Sequence, residues 1–325
     1  HSLRRRQRQM CIRDRAKGYN IELWDGVKLR ELLKEIGVEG VYVPANVFYI
    51  KPTISVEDAT KTVDKSLVSF FAGRKGKIEG YVIILYPYYE LDITNAKTYE
   101  VRGIIRKRVE ARVVNATILI DSITGELCSY DPAGGVVRLI RLPILSEDEA
   151  RVFQILRGES LTVSALASLL SCSTTKARKI LQGLVAKDVV EMLRVGRQVF
   201  YRLKVRVPDP TLLRPLPSNL KFRGEPGRGI KMTPTIGLKD LEWLVNLLWE
   251  GEVKDCRTIF YPYFACGIIE EGRKKYIRAV DMLVNGIDER ISIILTMLYS
   301  QLSPYFITVS YTHLRAHETE ADLVC

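Results

Sequence analysis

The chain has 325 residues, 49 of them basic and 38 acidic, giving a formal net charge of +11. That length exceeds one small core and suits two or three domains, and the excess of base favours a polyanionic partner without naming one. No uninterrupted apolar run approaches a membrane span and no secretory leader is recognisable, so a cytoplasmic protein without a membrane partner is expected.

Residues 1–15, HSLRRRQRQMCIRDR, show neither a helical nor a strand-like apolar period. Met10 to Asp14 can be written ATG TGT ATA AGA GAC, and Ser310 to His313 TCT TAT ACA CAT. The two strings are reverse complements over their shared length. RRQRQMCIRDR and VSYTHLRAHET resemble translations of the adaptors of transposase-based sequencing libraries, so 1–15 and 309–325 are expected to be processing scars. Setting them aside removes His1, His313 and His317, the chain's three histidines, together with Cys11 and Cys325. Seven basic and four acidic residues go with them, leaving 42 against 34, a net charge of +8. A core without histidine runs neither Ser-His-Asp nor Cys-His chemistry and offers no imidazole to a metal. Cys128, Cys172, Cys256 and Cys266 contain no C-x-x-C pair; they read as small apolar side chains in a reducing compartment, with no zinc site.

Residues 16–38 open with AKGYNIELWDGVKLRELLKEIG. The pattern predicts a strand ending at Asp25-Gly26, then a helix with Leu29, Leu32, Leu33 and Ile36 on one face. The I-E-L-hydrophobic-D-G before a leucine-rich helix resembles the C-terminal end of Mrr-type restriction endonuclease domains. The resemblance implies a truncated metal-dependent nuclease, whose catalytic acid and acid-or-glutamine-x-lysine lie upstream of this point in that family. It therefore assigns no catalytic residue to this chain, and Mg2+ only to an upstream nuclease domain.

Residues 40–143 and 230–308 share a pattern. KPTISVEDA (Lys51 to Ala59) returns as TPTIGLKDL (Thr233 to Leu241), and VIILYPYYELDI (Val82 to Ile93) as TIFYPYFACGI (Thr258 to Ile268). Each then meets a basic stretch and a short apolar strand ending at a turn, ILIDSITGE and MLVNGIDER. The order predicts a duplicated α+β module of roughly 60 to 80 residues. Each proline belongs at a bend or an edge. Tyr86, Pro87, Tyr88 and Tyr89 then read as a corner packing helix onto sheet, or alternatively as an exposed aromatic platform for unstacked bases. In the second case Arg106, Arg108 and Arg112, on one face of a strand, are secondary nucleic-acid contacts.

Residues 144–206 lie between the copies. Ser146 and Glu149 form a capping box before a helix with Ala150, Val152, Phe153 and Leu156 on one face. A second amphipathic helix covers Val163 to Leu170. Ser171-Cys172-Ser173 then turns into a third, capped by Ser173 or Thr174 and burying Ala177, Ile180, Leu181, Leu184 and Val185. Two strands, VVEML and QVFYRL, follow around Arg194-Val195-Gly196-Arg197. Three helices and a hairpin in this order resemble the winged helix-turn-helix family. The resemblance implies a third helix entering the major groove of double-stranded DNA, with Ser173, Thr174, Thr175, Lys176, Arg178, Lys179 and Gln182 facing it, and Arg194 and Arg197 at the wing tip. A winged helix that binds protein instead is the alternative.

Residues 207–229, with Pro208, Pro210, Pro215 and Pro217 before Gly224, Gly227 and Gly229, read as a spacer and lack Walker spacing. Glu252-Val253-Lys254 with Asp240 has the composition of a nuclease site, but Asp240 falls on a helix; Asp121 and Glu126 read as turn residues. The expected fold class is α+β, a winged helix-turn-helix inserted between two copies of a helix-plus-antiparallel-sheet module. Three functions fit: the DNA-binding part of an Mrr-like restriction endonuclease, a transcriptional regulator whose modules dimerise or sense a ligand, and a protein-interaction scaffold. A homodimer is compatible with these readings, and no motif points to a small-molecule substrate.

Overall fold

The computed structural model describes residues 46–69, 73–74, 76–102, 108–157, 159–223, 229–270 and 274–307. Both expected scars and the 16–38 stub lie outside the described residues. The described residues within 46–236 and 240–307 belong to one compact unit.

The fold is α+β. In chain order the elements are β1 (Val47–Ile50), α1 (Val56–Leu67), β2 (Val68–Ser69), β3 (Gly73–Arg74), β4 (Lys77–Arg102), β5 (Arg108–Asp121), β6 (Leu127–Asp131) and β7 (Gly135–Ile140). Next come α2 (Glu147–Leu156), α3 (Val163–Leu169), α4 (Thr174–Ala186), β8 (Val190–Val195), β9 (Gln198–Leu203), β10 (Lys221–Phe222) and β11 (Ile230–Lys231). The chain continues with α5 (Leu238–Trp249), β12 (Glu252–Ile269), β13 (Lys275–Asp281), α6 (Glu289–Met297) and α7 (Tyr299–Leu302). One sheet runs β10-β1-β12-β4-β5-β6-β7, with β11 also on β4 and β13 also on β12; β8–β9 and β2–β3 are separate pairs.

The long strands β4 and β12 are antiparallel neighbours in a register that sets corresponding residues of the two similar segments against each other. Tyr86 pairs with Tyr261, Pro87 with Phe260 and Leu85 with Pro262. The relation is a local two-fold one, and other contacts obey it. The Tyr88 and Tyr263 hydroxyls meet at 3.0 Å. Tyr86 stands edge-on to Tyr263, and Tyr88 edge-on to Tyr261, at centroid distances of 6.0 and 5.9 Å. Thr53 and Ile54 donate their N–H groups to Met282 O, as Thr235 and Ile236 donate theirs to Ser122 O.

Two expectations fail at this strand pair. Tyr86, Tyr88, Tyr261 and Tyr263 are fully buried and Tyr89 nearly so, so they form no exposed platform for bases. The prolines stand at neither bend nor edge but inside the two central strands. The reason lies in the neighbours. On its outer side β4 pairs with β11 up to Leu85 and with β5 from Tyr88. Pro87 occupies the gap, where its missing N–H costs no ladder bond; its carbonyl accepts the Ser122 hydroxyl at 2.7 Å. Pro262 sits in the matching gap, between the end of the β1 ladder at Phe260 and the start of the β13 ladder at Tyr263.

Side chains alternate across the sheet. One face carries the tyrosine layer with Val82, Ile84, Ile259 and Ala265, covered by Ile291 and Leu295 of α6 and by Leu216. On the other, Phe264, Cys266 and Ile268 lie under Ala59, Val63 and Leu67 of α1, while Leu91 and Ile93 lie under Leu244, Val245 and Leu248 of α5. Helix α1 starts at Ser55, which accepts from Asp58 N, and carries Glu57 and Asp58 in its first turn and Lys65 in its last, as the helix dipole favours. The outer edge of β13 is closed by α6, whose Ser292 and Thr296 hydroxyls accept from Ala279 N and Ile277 N, which removes an open strand edge.

The Pro-rich segment is not a spacer in its described part. Leu213 and Leu216 are buried, Pro208 O accepts the Trp249 indole N–H at 2.9 Å, and β10 pairs with β1. Proline supplies stiffness, and the intervening leucines anchor the segment as a strap.

Removing one hydroxyl of the central pair strands its partners. Tyr88→Phe deprives both Tyr263 and Arg138 of a bond and is expected to cost about 1–3 kcal/mol. Tyr88→Phe with Tyr263→Phe should cost less than the two single changes summed, as measured by urea denaturation in a double-mutant cycle.

Candidate nucleic-acid interface

The three helices α2, α3 and α4 share one core with α5 and the sheet. Val152, Phe153, Leu166, Leu181 and Leu184 are buried together with Leu241 and Trp249. Local signals set each helix start. Ser146 and Glu149 make a complete capping box, Thr162 accepts from Ala165 N, and Ser173 accepts from Lys176 N at 3.2 Å. Ser171 takes φ +50° in the turn between α3 and α4. The Lys187 ammonium, just past α4, reaches Glu149 at 2.6 Å and Ile144 O at 2.9 Å. Burial would raise the Glu149 carboxyl, but Lys187 and the Ser146 N–H hold it below its ordinary value. This tie fixes the end of α4 to the start of α2.

Helix α4 turns Ala177, Leu181 and Leu184 inward, all fully buried, with Ile180 and Val185 half-buried. Ser173, Thr174, Thr175, Lys176, Arg178, Lys179 and Gln182 are exposed. Lys176 lies 2.9 Å from Asp148 of α2, and that bond raises its pKa. β8 and β9 form a hairpin turning at Gly196-Arg197, with Val195 opposite Gln198. Gly196 has φ +58°, which suits the first central position of a two-residue hairpin turn. Arg194 and Arg197 are exposed at its tip. Arg178, Lys179, Arg194 and Arg197 make no ion pair among the described residues.

The secondary contacts fare differently. Arg106 lies outside the described residues, Arg108 falls in β5, and Arg112 is exposed on β5. Asp240 sits in the first turn of α5, with Glu252 and Lys254 at the start of β12. Among the described residues no group of three or more metal-ligating side chains is assembled, and no helix is long and apolar enough to cross a membrane. Among the described residues the four cysteines, Cys128, Cys172, Cys256 and Cys266, are unpaired; burial pushes the Cys256 and Cys266 thiols up to about 12 and Cys128 higher still.

A second polar assembly lies inside the sheet, where sequence reasoning saw only turns. Asp121 accepts the Tyr86 hydroxyl with both oxygens at 3.0 Å and also accepts Ile123 N and Thr124 N. Asp281 repeats this with Tyr261, at 2.8 and 2.9 Å, and with Leu283 N and Val284 N. The second turn thus begins at Asp281, four residues earlier than Asn285, the position that the match of ILIDSITGE to MLVNGIDER sets against Asp121. Arg138 of β7 crosses between the halves, donating to Asp288 at 3.0 Å and to the Tyr88 hydroxyl at 3.1 Å, within 3.6 Å of Asp121 and Glu126. Burial acts to lower Arg138, but the tyrosines and Asp288 around it hold it above its ordinary value. The signal in the sequence is an aspartate closing the strand that follows each Tyr-Pro-Tyr strand, 35 residues after Tyr86 and 20 after Tyr261.

Compared with protein-family models the chain matches none, and no curated protein matches it.

Burial raises the Asp281 carboxyl from 3.8 to about 6, against the N–H groups of Leu283 and Val284 and the Tyr261 hydroxyl, which lower it. The folded protein therefore holds this proton more tightly than the unfolded chain. Asp281 contributes most to stability below pH 3.8, and that contribution is lost as pH rises through 6, a change of about 3 kcal/mol at most. Asp281→Asn should remove it. Urea unfolding of both proteins at pH 4 and pH 7 measures this: the wild type's stability relative to the variant should be greater at pH 4.

Proposed function

We propose that this chain is a DNA-binding fragment, in which residues 144–206 act as a winged helix-turn-helix set between two copies of a helix-plus-antiparallel-sheet module. One observation carries the reading: α4 buries an apolar stripe and leaves Lys176, Arg178, Lys179 and Gln182 exposed, beside a hairpin tip with Arg194 and Arg197 exposed. A helix of this kind fits a major groove about 12 Å wide, with its N-terminal turn first. Ser173, Thr174 and Thr175 stand where backbone donors and the positive helix end attract phosphate. Lys176 and Lys179 neutralise phosphates, Arg178 and Gln182 have the donor geometry for base edges, and Arg194 and Arg197 suit the minor groove or backbone.

The resemblance of residues 16–38 to the end of Mrr-type domains extends the proposal to a restriction endonuclease using Mg2+. Its catalytic acids correspond to no residue assigned in this chain. Exposure of α4 favours DNA over a scaffold role, because protein-binding surfaces are depleted in lysine.

Fluorescence anisotropy with duplex DNA between 50 and 300 mM salt tests the reading. Affinity should fall steeply with salt, and Lys176→Ala with Lys179→Ala should flatten the slope of log K against log salt by about 2. Binding indifferent both to salt and to these changes removes the DNA assignment.

A further inference from the structure

A cavity of about 370 Å³ opens where the base of the β8–β9 hairpin meets the sheet, away from the exposed face of α4. Its walls include Lys97 and Thr98 of β4, Arg157 at the end of α2, Ser160, Arg206 and Trp249. Five cations line it against two acids, Glu159 and Asp209. Arg202 and Lys204 are engaged at the outer wall with Glu191 and Asp188, each at 2.6 Å, Lys97 is paired with Glu250 at 2.5 Å, and Asp209 is occupied with Thr211.

Two features mark it as more than a crevice. Thr98 is 5% exposed, yet its hydroxyl has no hydrogen-bond partner among the described residues. Buried hydroxyls are nearly always satisfied, so such a group at a cavity wall points to an absent partner. Beside it stands a guanidinium whose side chain is only 3% exposed: Arg157 donates to Lys97 O at 2.8 Å and lies 3.5 Å from Glu250. The Trp249 indole N–H is committed to Pro208 O and the residue is 1% exposed, so it borders the cavity as a buried apolar wall with no free donor.

We propose that this cavity binds a small phosphorylated molecule of nucleoside-monophosphate class. The phosphate accepts from the Thr98 hydroxyl and is held by Lys97, Arg157 and Arg206, and the flat remainder lies toward Trp249. The volume falls in the range of small-molecule sites, and planar guanidinium groups suit phosphate oxygens. No residue of the α4 interface is used, so the site stands independently of DNA binding.

Thermal-shift and calorimetric titration of the full chain with adenosine monophosphate, inorganic phosphate and adenosine test it, with sodium chloride at matched ionic strength as control. Adenosine monophosphate should bind saturably, phosphate more weakly, and adenosine and chloride not at all. Thr98→Val should weaken binding about fivefold and Lys97→Met with Arg206→Ala at least about tenfold, each variant keeping the wild-type circular dichroism spectrum. Lys176→Ala with Lys179→Ala should leave the titration unchanged. Absence of saturable binding by either phosphate probe, or binding unchanged in the folded Lys97/Arg206 variant, overturns the proposal.

Discussion

Tyr86 and Tyr261 lie directly opposite one another in the β4–β12 ladder, and much of the structure follows from what that pairing demands. A tyrosine contributes a large apolar surface but brings a hydroxyl that must find a partner when buried. Four such rings share one layer, and their hydroxyls reach Asp121, Asp281, Asp288 and one another. The aspartates, taken out of water, need donors in turn, and the N–H groups of the 121–126 and 281–286 turns supply them. Turn geometry, strand ends and the path of β7, which brings in Arg138, are thereby coupled to a single pair of facing residues.

The coupling also gives the interior its charge balance. A buried carboxylate is costly unless paired and hydrogen-bonded. Asp121 has Arg138 within 3.6 Å, while the first β7 residue, Gly135, approaches the Asp281 carboxylate closely with φ +75°. A side chain at Gly135 would collide with that carboxylate. Local two-fold symmetry stops here, because the first half continues into the β6–β7 hairpin and the second into α6. The hairpin supplies one arginine across the middle of both halves.

Around this core the molecule divides its surfaces by chemistry. The tyrosine face is covered by α6 and the Pro-rich strap, and the opposite face by α1, α5 and the three-helix segment. What remains outward on α4 and the β8–β9 tip is cationic. The cavity behind the hairpin is polar, with a buried threonine and arginine in its walls.

The sequence by itself determined the features that act over three or four residues. The capping serines Ser55, Ser146 and Ser173 and Thr162 start their helices because a side-chain oxygen reaches a backbone N–H three residues on. The stripe Ala177, Leu181 and Leu184 fixes which side of α4 faces inward, and thereby which residues remain outside. The similarity of the two Tyr-Pro-Tyr segments was also legible, since it requires only comparison along the chain. Tertiary structure alone decided that those segments pair with each other. That choice buried the tyrosines, placed Pro87 and Pro262 in gaps between neighbouring strands, and turned Asp121 and Asp281 from turn residues into partners of buried hydroxyls. It also made a strap of the Pro-rich segment and brought Thr98 and Arg157 to one cavity. The physical reason is separation: the bond between Tyr88 and Tyr263 spans 175 positions, and no local pattern states which strand will stand beside another.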